Sequence, residues 1–121
     1  MYQVIKMYGD WEPWWFLDGW TDDIVAQKRF ATFESAASYY EKEWQKGCRH
    51  YSCYDSHQDF LAAFWNQEDE RWCEECNEYL QQYHSLLLLK DGKPLPRQWH
   101  RKSLIKKNSQ TPPKSCQMKE L

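Results

Sequence analysis

Four tryptophans stand within ten residues near the start of the chain: Trp11, Trp14, Trp15 and Trp20, in the run WEPWWFLDGW. No other feature constrains the fold as much. Each indole carries a large rigid apolar face and one N–H that needs a partner once buried. The run therefore either builds core or forms a binding platform. Alternation through residues 14–17 predicts a split, with Trp14 and Phe16 on one face and Trp15 and Leu17 on the other. One pair then packs beneath the rest of the domain. The other pair, with Trp11 and Trp20 beside it, leaves an apolar patch suited to a protein partner.

The neighbouring segments supply the scaffold. Residues 2–8 alternate as a strand covered on both faces, and Gly9-Asp10 is a turn signal. Residues 14–17 are expected as a second strand returning beside the first. Pro13 places its start there or marks a sheet edge, because proline cannot donate to a ladder. Thr32 is a good N-cap for a helix through Phe33, Ala36, Ala37, Tyr40 and Trp44, and Gly47 is a fitting residue to stop it. A short extended piece is expected at about residues 50–54. Phe60, Leu61, Phe64 and Trp65 mark a second helical face, and Trp72, Cys76, Tyr79, Leu80 and Tyr83 a third. Residues 85–90 read as a final buried strand. The expected fold is α+β: a small, mostly antiparallel sheet with two or three helices packed on one face.

At 121 residues the chain is one domain, and with 17% aromatics its core is built from rings more than from aliphatic chains. Charge divides it. Seven basic and sixteen acidic residues precede Lys90, whereas nine basic and two acidic residues follow from there. After Gly92 the sequence holds four prolines, many lysines and little periodicity. The expected organisation is a domain over residues 1–92 and a flexible basic tail over residues 93–121.

That tail offers Arg97, Arg101, Lys102, Lys106 and Lys107 to phosphates and Trp99 for stacking, the ingredients of a nucleic-acid contact. The competing readings are a solvated terminus, a segment docked on the acidic body, or a contact with an acidic protein. No membrane anchor is expected. The longest apolar run, Leu86 to Leu89, falls far short of the roughly 20 residues a span requires. Nothing resembles a signal peptide, and five cysteines are an odd number, so reduced thiols in a cytoplasm are the simple expectation.

Cys73 and Cys76 form a CxxC that Cys48 and Cys53 would complete to a four-cysteine zinc shell. Against zinc, no Gly or Pro flanks the pair to form a knuckle, and the surrounding pattern reads as helical. Glu74 and Glu75 would also raise the thiol pKa values. A structural role for these cysteines is preferred, with no cofactor. The histidines His50, His57, His84 and His100 show no metal-binding spacing, and lone histidines are most often structural. There is no nucleophile elbow, P-loop or dinucleotide fingerprint, so nothing argues for an enzyme.

The opening MYQVIKMYGDWEPWWFLDGW, with FLAAFW, WCEECNEYLQQYH and SLLLLKDG, resembles a small family of Gram-positive bacteria catalogued as domain of unknown function 1033. The resemblance covers roughly residues 1 to 92. It implies a short intracellular bacterial protein and brings no activity, substrate or cofactor with it. The resulting expectation is a small cytoplasmic non-enzymatic binding or adaptor protein. It would contact an unidentified cytoplasmic protein through Trp11, Trp15, Leu17 and Trp20. The alternatives are a nucleic-acid accessory protein using the tail and a zinc-binding domain using the cysteines.

Overall fold

The computed structural model describes residues 1–108. The strands are β1 (Tyr2–Gly9), β2 (Ile24–Phe30), β3 (Cys53–His57), β4 (Leu61–Trp65), β5 (Glu70–Cys73), β6 (Glu78–Gln81), β7 (Tyr83–Lys90), β8 (Lys93–Pro94) and β9 (Lys106–Lys107). One α-helix, α1 (Phe33–His50), interrupts them, and three short 3-10 turns at Trp20–Asp23, Arg97–Trp99 and Lys102–Leu104 accompany it. The main sheet is antiparallel with order β2-β1-β7-β4-β3-β9; β8 pairs with the end of β7, and β5-β6 forms a separate hairpin.

β7 is the spine of this sheet, paired along its length with β1 and over Leu61–Phe64 with β4. Within its sequence YHSLLLLK, residues 86–89 form a continuous apolar run because both faces of the sheet are covered there. Leu86 and Leu88 point into the cluster beneath α1, with Val4, Ala36, Tyr40 and Phe60. Leu87 and Leu89 point the other way, with Ile5, Met7 and Leu61, onto Trp14, Phe16 and Trp20. The helix therefore covers one face and the tryptophan run the other.

Helix α1 starts where its cap predicts: the Thr32 hydroxyl accepts from the Ser35 N–H at 3.2 Å. It runs three residues past the expected stop at Gly47. That glycine instead permits close approach, because a Cβ there would lie 2.7 Å from the Phe64 ring.

Several expectations are corrected. Residues 60–65 form no helix: Leu61–Trp65 is strand β4, buried at all five positions, so the period-2 signal that would have marked it is lost. Residues 72–83 are no helix either, but the β5-β6 hairpin and the start of β7. The sheet thus carries one α-helix rather than two or three. Residues 14–17 form no strand; the partner of β1 in the hairpin-like pairing is β2, reached by a long connection. The strand at residues 85–90 is present but not final.

Residues 93–108, expected as part of the tail, belong to the domain. Leu95 and Leu104 are 4% and 1% exposed within the helix-side core. β9 adds to the edge of β3, and Asn108 continues that edge by accepting from the Tyr54 N–H at 2.8 Å. The expectation for residues 109–121 lies outside the described residues.

Candidate functional site

The connection between β1 and β2 is tied at its start. Asp10 accepts from Arg71 Nε at 2.6 Å and from Gln82 Nε2 at 2.8 Å, which fixes the loop to β5 and to the chain entering β7. Pro13 is fully buried. Trp14 lies flat on His57, ring centroids 3.9 Å apart, and also covers Trp65 and Tyr83. Phe16 takes a left-handed backbone conformation (φ 45°) and meets Trp20 edge-on at 5.1 Å. A backbone bond from the Trp20 N–H to Leu17 O closes the loop, and Gly19 supplies the positive φ that leads into the 3-10 turn.

Trp14 and Phe16 are thus directed onto the sheet, and Trp20, expected beside the exposed pair, packs there with them, whereas Trp15 remains 46% exposed. The inward and outward sets arise from an irregular loop rather than from strand alternation. Trp11, Trp15, Leu17 and Trp20 converge on one pocket of about 90 Å³. Three carboxylates, Glu12, Asp18 and Asp23, share its lining, and none of them enters an ion pair among the described residues. The Trp15 indole N–H donates to Glu12 Oε1 at 3.3 Å. Burial pushes the Glu12 carboxyl up, and burial with the nearby Asp10 and Asp22 pushes Asp23 up as well. The pocket is aromatic and negatively charged.

The residues expected to contact nucleic acid are largely engaged within the domain. Trp99 packs on Phe33 at 4.3 Å. Arg101 pairs with Glu41 and lies over the Phe33 and Phe60 rings. Lys106 sits over Trp44 and Tyr54, and Lys107 is 3.8 Å from Asp55. Arg97 and Lys102 are exposed, with no partner among the described residues.

The cysteines are spread over different parts of the fold. Cys48 borders the helix-side core, Cys53 the opposite face, and Cys73 and Cys76 sit at the tip of the β5-β6 hairpin. Among the described residues no group of three or more potential ligands gathers around a point. The CxxC turn nevertheless differs from the expected helix. The Cys76 N–H donates to Cys73 Sγ at 3.2 Å, and Asn77 supplies the left-handed residue (φ 53°) for which a glycine was sought.

Sequence reasoning missed a cluster around His84. Its ring stacks on Tyr51 at 4.7 Å and meets Tyr8 in a tilted contact at 4.6 Å, and its Nε2 lies 3.5 Å from Asp69. Burial lowers its pKa, and Asp69 works against that shift. The cleft beside it measures about 240 Å³ and reaches His50 and the Lys6–Glu43–Lys46 ion group. Glu43 pairs with both lysines, which leaves this ion group with one positive charge in excess. The three ring partners come from separate elements, and no local spacing could have announced them. An exposed edge-on pair, Trp72 and Tyr79 at 5.2 Å across β5-β6, was also missed because those residues read as helical.

No helix among the described residues is long and apolar enough to cross a membrane. No curated protein and no solved structure matches the chain. A family model does match, over residues 1–118, and so extends beyond the residues 1–92 that carry the resemblance. The chain belongs to the family described as protein of unknown function DUF1033.

Proposed function

We propose that this is a small cytoplasmic, non-enzymatic binding or adaptor protein that engages a protein partner through the outward side of its tryptophan loop. One observation carries the reading: Trp11, Trp15, Leu17 and Trp20 line a single pocket, and two of its lining residues, Phe16 and Trp20, are packed on the sheet. Large rigid aromatics anchored in this way are the residues that dominate protein interfaces. The cavities of about 240, 190 and 90 Å³ fall below the ~300 Å³ at which small-molecule sites begin, which favours a macromolecular partner over a substrate. The nucleic-acid reading finds less support, since Arg101, Lys106 and Lys107 neutralise or cover groups of the domain itself.

The test pairs capture of partners from the source cells with folding controls. Trp15→Ala and Leu17→Ala should keep the wild-type unfolding midpoint and lose a partner that the wild type retains. Val25→Ala, at a residue 66% exposed on the β2 edge, should retain it. Equal capture by all three variants would remove the basis for this reading.

A further inference from the structure

We propose that the pocket formed by Trp11, Trp15 and Trp20 receives a cationic side chain, an arginine on a basic segment of the partner. This rests on the binding reading above and specifies its chemistry. At about 90 Å³ the pocket has room for one side-chain head and little else. Its lining combines indole faces, whose quadrupole attracts cations, with the carboxylates of Glu12, Asp18 and Asp23. An occupant must satisfy both.

A leucine or aromatic anchor would contact the indoles but strand the carboxylates against hydrocarbon, which is unfavourable without compensating hydrogen bonds. A phosphate or a partner carboxylate would meet like charge. A lysine ammonium fits the charge but is compact and strongly hydrated. A guanidinium is planar and less hydrated, so it stacks on an indole while its N–H fork donates to carboxylates at the rim. The crowding of Asp10, Asp22 and Asp23 adds to the demand for positive charge at this end of the loop. Among the described residues, only Asp10 of these three has a basic partner, Arg71.

The decisive experiment follows the indole N–H resonances of the full chain by NMR during titration with the peptide acetyl-Gly-Arg-Arg-Gly-amide. The citrulline peptide, of the same shape without charge, serves as control. The arginine peptide should shift Trp11, Trp15 and Trp20 saturably, leave Trp44 and Trp65 in place, and lose its effect at high salt. Trp15→Ala and Asp18→Asn, both at exposed positions, should each weaken binding about two- to fivefold. Citrulline binding equal to arginine, or no saturable shift at these indoles, would overturn the proposal. If Trp15→Ala strips a cellular partner while the arginine peptide leaves the indoles unmoved, the binding face stands and the cationic occupant is wrong. If neither occurs, both readings fall together.

Discussion

The two faces of the sheet are covered in different ways. On one, α1 satisfies its own backbone groups by helical hydrogen bonds and delivers Phe33, Ala36, Ala37 and Tyr40 to the sheet at helical spacing. On the other, an irregular loop covers Ile5, Met7, Leu87 and Leu89 by means of heavy side chains rather than regular backbone. A loop with few internal backbone bonds depends on ring area and a few ties, here the Asp10 contacts and the Leu17–Trp20 turn. It also leaves side chains such as Trp15 directed outward, which a helix of the same burial would not need to do. The helix face is scaffold, and the loop face combines scaffold with the proposed site.

That comparison is open to challenge, most severely on the helix side. Leu104→Ala removes a side chain 1% exposed from the helix-side core and should cost about 2–5 kcal/mol in urea unfolding. A loss under about 0.5 kcal/mol, the scale of a surface change, would show that residues 93–108 are not integral to that face. On the loop side, Trp14→Ala should cost about 2–3 kcal/mol, below the ~3–5 kcal/mol of a fully buried ring because Trp14 keeps part of its surface in water. Circular dichroism in the near ultraviolet should change with it, as the Trp14–His57 stack is lost.

Acid distinguishes the faces by sign. On the helix side, hydrogen bonding from Lys6 is the main cause that holds the Glu43 carboxyl below its ordinary 4.5, so the proton is bound more weakly in the folded state. Glu43 therefore stabilises the fold above that ordinary value, and its contribution is lost as pH falls through the lower folded value. On the loop side, burial first and then Asp10 and Asp22 raise Asp23 above its ordinary 3.8, so its charge opposes folding at neutral pH and protonation relieves the penalty. Denaturation at several pH values should show Glu43→Gln destabilising at pH 7, with the difference vanishing in acid. Asp23→Asn should stabilise at pH 7, with the gain fading as pH falls through the raised folded value and gone below 3.8. The same sign for both would remove the electrostatic contrast. The smallest expected effect is that of Trp15→Ala on stability, within about 0.5 kcal/mol, because nearly half of the residue is exposed and it belongs to no core cluster.

The sequence made the helix legible through Thr32 and the apolar spacing that follows, and it made β1 and most of β7 legible through their apolar patterns. The opposition of Trp14 and Phe16 to Trp15 was legible too, although it comes with a left-handed turn at Phe16 rather than a strand, whereas the packing of Trp20 on the sheet was not. What failed has a common cause. FLAAFW and the residues around Tyr79 are short and apolar or aromatic, and such runs carry no distinguishing period once both faces are covered or a hairpin is exposed. Burial of Leu95 and Leu104 in a basic, proline-containing stretch depends on surface that α1 and β4 create, and nothing local encodes that surface. The pocket's carboxylates were visible as residues, but their convergence with Trp11 and Trp20 required the loop to close.

The central claim is that the outward side of the tryptophan loop is where a protein partner binds. A photo-crosslinking amino acid placed at position 15, and in a parallel strain at position 25, tests it in the source cells. The account predicts one discrete adduct from position 15 that an excess of the arginine peptide suppresses, and none from position 25. Adducts of equal yield from both positions, or from position 25 alone, would contradict it.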